Sequence, residues 1–210
     1  DIFIANSKET QALIRKFYRR DSVVVYPPIK IEPLATSHLP LMTNDHWPMT
    51  KKYWLFISRL AFSKNPQLAV EWATKTKNNL LVAGEGKMKA SLEKMAGKTV
   101  KFAGFVPDEK LPKLYSNAKG LIYPVADEDF GMVPVEAMSY GIPVIAHNSG
   151  GPKETVKDGK TGILFDELTL EGLTEAVVKA EKTNWDKKAI SKHAEQFGVE
   201  HFKQSILKLI

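Results

Sequence analysis

From Tyr53 onward the sequence alternates repeatedly between a short, uninterrupted apolar run and a stretch with helical spacing. The runs fall at Trp54–Ser58, Leu80–Ala83, Val100–Val106, Leu121–Val125, Val144–Ala146 and Gly162–Phe165. Continuous apolarity, rather than alternation, is what a strand needs when helices cover both faces of its sheet. Between the runs the spacing predicts helices over Pro66–Lys75, Lys87–Met95, Glu109–Asn117, Pro134–Tyr140 and Pro152–Val156, with one more over Leu170–Glu181. Strands that alternate with helices are joined by crossovers, so the expected fold is α/β, a doubly wound parallel sheet spanning 53–184. Ligands of such sheets bind beyond the carboxyl ends of the strands. Arg59, Gly84-Glu85-Gly86, Glu128 and Gly150-Gly151 all gather at those ends.

The flanks read differently. Asp1 to Pro28 reads strand, helix, strand: Ile2-Phe3-Ile4, then Ser7 as N-cap to a helix bearing Ala12, Leu13, Phe17 and Tyr18, then Val23–Tyr26. Residues 29–52 hold several prolines and no sustained period, as a linker does, with His46 and Trp47 as anchors of that loop. Residues 185–210 read as two short helices parting near Phe197-Gly198, the last packing through His201, Phe202, Ile206 and Leu209. The chain enters a strand at once without an initiator Met, which reads as the start of an excised fragment.

Composition narrows the partners. A 210-residue chain with 43% hydrophobic and 26% charged residues is ordinary globular material, with no apolar run of membrane-spanning length. The absence of cysteine excludes disulfides and thiolate metal sites and fits a cytoplasmic setting. A formal charge of +6 favours phosphate-bearing partners. Without an aromatic RNA-binding motif, that charge does not amount to nucleic-acid binding. Gly-x-Ser-x-Gly, Walker and zinc patterns are absent.

The most informative stretch is Asp127-Glu-Asp-Phe-Gly-Met-Val-Pro-Val-Glu-Ala-Met138. Glu128 and Glu136 bracket a strand-to-helix turn, and Pro134 in the first helical turn gives up an N–H that has no partner there. The N–H groups of Gly131, Met132 and Val133 point where the helix dipole favours an anion. A phosphate held between two hydroxyl-accepting carboxylates matches the groups of a sugar nucleotide. After the first run, Arg59 and Lys64 flank the turn into a helix and can neutralise a diphosphate. Gly84 and Gly86 permit close backbone approach, but the third glycine of a dinucleotide fingerprint is missing and Lys89 stands there. Asp127-Glu128-Asp129 contains an Asp-x-Asp pattern, too common in short acidic stretches to predict a metal. His147 reads as a packed or rim residue.

These residues resemble the retaining family-four glycosyltransferases, with their two-Rossmann-domain GT-B architecture. Glu128 to Glu136 is similar to the family's Glu-x7-Glu motif, and the match runs on through Phe130-Gly131, Gly141-Ile-Pro-Val144, Gly150-Gly151, Glu154 and Gly159-Lys-Thr-Gly162. Arg59 and Lys64 are similar to its phosphate-binding pair, and Asp1 to Pro28 to the last unit of its N-terminal domain. The resemblance implies transfer of a sugar from a nucleoside diphosphate with retention at the anomeric carbon, by departure and attack on one face. It implies that Arg59 and Lys64 hold the diphosphate and that Glu128 binds sugar hydroxyls near the reacting carbon. Glu136 takes the ribose, and the base lies along Gly84-Glu85-Gly86 and Phe105-Val106. Phe130 to Val133 complete the donor site, and no metal or cofactor is implied.

The wording around Glu128 is most similar to polysaccharide mannosyltransferases, which favours GDP-mannose over UDP- or ADP-sugars. It also implies a glycan or lipid-linked acceptor bound through an N-terminal domain of which only residues 1–28 are present, with peripheral membrane contact open to the whole protein. Ser58 stands where many members have glycine. The alternatives are a nucleotide-sugar epimerase of the same architecture and a non-catalytic sugar-nucleotide-binding module.

Overall fold

A computed structural model describes residues 2–31 and 52–209. Most of the expected linker, including His46 and Trp47, lies outside the described residues.

The N-terminal unit pairs β1 (Phe3–Ala5) in parallel with β2 (Ser22–Val24) across α1 (Lys8–Tyr18). Ser7 caps α1 as its residue type predicts, accepting from the Thr10 N–H at 2.9 Å. The expected apolar stripe of α1 is not buried: Leu13, Phe17 and Tyr18 are exposed, and no residue of the helix is fully covered.

The main body is a six-stranded parallel sheet of β3 (Tyr53–Ile57), β4 (Leu80–Ala83), β5 (Val100–Gly104), β6 (Ala118–Tyr123), β7 (Val144–His147) and β8 (Gly162–Phe165). Their order across the sheet is β5-β4-β3-β6-β7-β8. The chain therefore builds outward from β3 in one direction, returns, and builds outward from β6 in the other. The switch point lies between β3 and β6, where loops diverge and leave a crevice.

Helices cover both faces: α2 (Pro66–Thr76), α3 (Lys89–Met95) and α7 (Leu170–Lys182) on one side, α4 (Leu111–Asn117), α5 (Met132–Ser139) and α8 (Lys187–Ala194) on the other. Successive strand residues serve opposite cores: Leu55, Leu81 and Leu121 pack toward α4, α5 and α8, while Phe56, Val82 and Ile122 pack toward α2, α3 and α7. Continuous apolarity was the signal of this two-sided burial. A short α6 (Gly150–Thr155) follows β7, and α9 (Val199–Leu207) follows α8 beyond a 3-10 turn. No residue of α9 is fully buried, so the expected packing face is only half covered.

Among the boundaries that depart from expectation, those of β5 and α5 do so for local reasons. β5 stops at Gly104, whose φ of +66° turns the chain out of extended geometry. α5 begins at Met132, before Pro134, because Gly131 in the left-handed region (φ 79°) serves as the N-cap. Ile29 returns the N-terminal segment to the main body, its N–H donating to the Phe197 carbonyl at 2.9 Å.

Candidate functional site

The turn after β3 and the turn after β6 meet at the switch point. Asn65, left-handed at φ 48°, ends the Phe62–Lys64 3-10 turn, and its side-chain amide donates to the Pro124 carbonyl at 2.9 Å. That bond ties the β3 turn to the exit of β6 and delivers Lys64 to Glu128, where Nζ lies 2.5 Å from Oε2. Both side chains are about one-fifth exposed, so the pair is shielded without being sealed from solvent. The Tyr123 hydroxyl, rising from the end of β6, donates to the same oxygen at 2.9 Å. Burial, then the charge and hydrogen bond of Glu128, push the Tyr123 phenol far above its ordinary value, so it stays a donor.

Glu136 sits one helical turn into α5, and its Oε2 accepts from the buried Tyr115 hydroxyl at 2.9 Å. Burial raises its pKa, the Tyr115 bond works in the opposite direction, and the Asp108 charge adds to the rise. Tyr115 stacks on Tyr140 with ring centroids 5.1 Å apart, so the donor is itself held in place.

A cavity of about 380 Å³ is lined by Arg59, Gly84, Glu85, Val106, Val133 and Glu136, among others. The exposed Phe105 also borders it. A neighbouring cavity of about 480 Å³ shares Glu136 and adds Asp108, Glu109 and Tyr115. Arg59 and Glu136, far apart in sequence, therefore face one space, with the residues expected along the base at its edge. Lys64 does not line this cavity; it is engaged with Glu128 beside it. Glu128, Met132 and Gly131 belong to the same β6–α5 turn, with Met132 half exposed and Gly131 buried.

Two expectations need revision. The Phe130 side chain does not serve the cavity: it is 3% exposed and packs against Tyr26 and Phe197, with ring centroids 5.6 and 5.8 Å away. Gly84 and Gly86 answer to their own chain. A Cβ on Gly84 would meet the Ser58 carbonyl oxygen at 1.9 Å, and one on Gly86 the Leu60 oxygen at 2.3 Å. Their bareness lets the turns after β3 and β4 lie against each other; Gly84 still lines the cavity, Gly86 does not.

Tyr115, Tyr123 and Asp108 stand at the site alongside the expected residues, and sequence reasoning had not singled them out. Tyr123 was visible only as part of an apolar run, and Tyr115 only as one turn of a helix. The buried hydroxyls announce themselves once a carboxylate is placed beside them. Among the described residues, no group of three or more His, Cys, Asp or Glu side chains is arranged to hold a metal ion.

Comparison with known proteins bears directly on this geometry. The family model described as "Glycosyl transferases group 1" matches residues 40–197. Human "Alpha-1,3/1,6-mannosyltransferase ALG2" is 29% identical over 194 residues, covering 79% of this chain and 46% of that protein. The Escherichia coli "O-antigen chain mannosyltransferase B" is 32% identical over 106 residues, covering 49% of this chain and 27% of its own length. The chain thus spans less than half of these curated relatives. Among solved structures, Anabaena Alr3699/HepE in complex with UDP and glucose superposes with a TM-score of 0.81 at 23% identity, covering 99% of this chain and 62% of that one. At that identity the likeness establishes the shared GT-B fold. No helix among the described residues is long and apolar enough to cross a membrane.

Proposed function

This chain belongs to the group 1 glycosyl transferases, and from that premise we propose that it is the donor-binding part of a retaining mannosyltransferase that takes GDP-mannose. The observation that carries the reading is the single cavity lined by both Arg59 and Glu136 beside the Lys64–Glu128 pair.

The diphosphate lies against the β3 turn. Arg59 offers a planar fork of donors to phosphate oxygens, and Lys64 offers a compact charge. The N–H groups at the start of α5 face the same turn, where the helix dipole favours negative charge. As the glycosyl bond breaks, charge grows on the leaving diphosphate, and these fixed donors stabilise it more than the ground state. With donor bound, Lys64 turns from Glu128 to phosphate. Glu128, kept in place by Tyr123, then accepts from hydroxyls of the sugar. Glu136 accepts from the ribose hydroxyls. The nucleophile arrives on the face from which the diphosphate leaves, which preserves the anomeric configuration.

Two features support guanine as the base. Guanine presents a ring N–H and an exocyclic amine side by side, two donors that suit a carboxylate, whereas uracil presents one N–H between two carbonyls. Asp108 and Glu109 line the cavity next to Glu136. Both curated relatives named above are mannosyltransferases. The acceptor, a glycan or lipid-linked sugar, meets the donor through the rest of the whole protein, placed at the cytoplasmic side of a membrane.

Calorimetric titration of GDP, UDP and ADP into this chain tests the reading. GDP binds with a dissociation constant in the micromolar to millimolar range, about 4 to 8 kcal/mol, and more tightly than the other two. Arg59→Ala and Glu136→Ala each weaken it. A folded sample that binds none of the three nucleotides refutes the proposal.

A further inference from the structure

The β7–α6 turn holds a polar chain that ends at the residue before Glu128. His147 Nε2 lies 3.0 Å from the Asp166 carbonyl oxygen, and Nδ1 lies 2.7 Å from Ser149 Oγ. A carbonyl oxygen only accepts, so Nε2 carries a proton, and in the tautomer this sets Nδ1 is an acceptor. The Ser149 hydroxyl therefore donates to Nδ1, and its oxygen is left to accept from the Asp127 backbone N–H at 3.0 Å. Each donor in the chain meets an acceptor.

Asp127 needs such a hold. Its φ of 52° is left-handed, a region non-glycine residues seldom occupy and one that clusters where a site depends on local strain. The same turn secures the following residue, since the Gly151 N–H donates to the Glu128 carbonyl at 2.6 Å. The two chain segments lie so close that a Cβ on Gly150 would come within 2.3 Å of that carbonyl oxygen. The backbone on both sides of the Glu128 Cα is thus fixed by the β7–α6 turn, while the carboxylate is fixed by Tyr123 and Lys64.

We propose that His147 and Ser149 are positioning residues for Glu128. They hold Asp127 in its left-handed conformation, and so hold the sugar-facing carboxylate in place before donor arrives. The inference rests on the reading of Glu128 as the group that binds the transferred sugar. Neither residue lines the nucleotide cavity. Their effect is therefore confined to the sugar end of the donor, which separates positioning from general support of the fold.

The test compares GDP with GDP-mannose by calorimetry on this chain. Loss of one hydrogen bond in Ser149→Ala weakens GDP-mannose roughly five- to tenfold and GDP less than about twofold. Ser149→Thr, which keeps the hydroxyl, restores GDP-mannose affinity. His147→Ala weakens GDP-mannose selectively by about two- to threefold, because Ser149 loses its orienting acceptor; it is also the readout if Ser149→Ala does not fold. In a Glu128→Ala background, Ser149→Ala has no further effect on either ligand, as a shared route requires. Equal weakening of GDP and GDP-mannose, no weakening of either, or an undiminished effect without Glu128 overturns the inference while leaving the donor site intact. Failure of the unaltered chain to bind either ligand overturns the donor reading and this inference with it.

Discussion

Replacing Glu136 by Gln separates charge from shape at the ribose end of the cavity. Alanine would be a blunter probe, because it would strand the hydroxyl of Tyr115, a residue only 1% exposed. Glutamine keeps the volume, and its carbonyl oxygen still accepts from Tyr115. Hydrogen bonds to a charged group contribute about 1.5–3 kcal/mol and neutral ones about 0.5–1.5. With two ribose hydroxyls on the carboxylate, the exchange loses about 2 kcal/mol, or roughly thirtyfold in GDP affinity. Stability moves the other way. Burial raises the Glu136 pKa, so the folded protein holds that proton more tightly than the unfolded chain does. The cost of the charge is absent below the ordinary carboxylate value, about 4.3, and fully present above the raised folded value. Glu136→Gln is therefore more heat-stable than the unaltered chain near neutrality, and the gap closes as the pH falls to about 4. Calorimetric binding and thermal melts at the two pH values check both halves. A variant that binds GDP as well as the unaltered chain, or that melts earlier near neutrality, refutes the assignment of Glu136 as a half-buried, charged ribose acceptor.

Other changes probe the remaining parts. Lys64→Ala removes the phosphate charge and leaves Glu128 unneutralised, so GDP affinity falls about tenfold or more, and added salt weakens the unaltered chain toward the variant. In Gly151→Ala the new methyl would lie within 2.0 Å of the Phe130 carbonyl oxygen, and the β6–α5 turn has to move. Urea denaturation should show a loss of roughly 2 kcal/mol or more, with donor binding lost in parallel. Tyr26→Phe deletes the hydroxyl that donates to Glu154 at 3.0 Å while keeping the ring against Phe130 and Phe197, and costs about 1 kcal/mol in the same assay. Burial and then the Glu154 charge push the Tyr26 phenol up to about 12, so the variant loses one alkaline phase of the tyrosinate absorbance titration, below the still higher phase of Tyr123.

The fold was legible because its governing signal is one-dimensional. A strand covered on both faces must be apolar at every position, and Trp54, Leu55 and Phe56 say so without reference to anything distant. Helix ends were less legible. Pro134 looked like a first residue, yet Gly131 in the left-handed region starts α5 at Met132. The charged pieces of the site were visible by residue type and by their place after a strand. Their pairing was not. Lys64 and Glu128 are 64 positions apart and meet because β3 and β6 are neighbours, a fact set by strand order that no local pattern contains. Phe130 shows the converse error. The family resemblance implied a ligand contact there, but a phenyl ring next to the Tyr26 and Phe197 rings loses more by facing water than by joining them.

That burial has a use of its own. Phe130 is the point where the β6–α5 turn leaves the ligand and enters the core, and it touches both the N-terminal segment through Tyr26 and the C-terminal helices through Phe197. Glu154, on the helix that follows β7, accepts from Tyr26 and from the Lys8 N–H at the start of α1. The segments flanking the sheet therefore bear on the loop that carries Glu128, from opposite ends of the chain. A turn clamped in this way holds its N–H groups and carboxylates in one arrangement. Donor binding then has less ordering to do, and more of the interaction energy remains for the charge that develops as the glycosyl bond breaks.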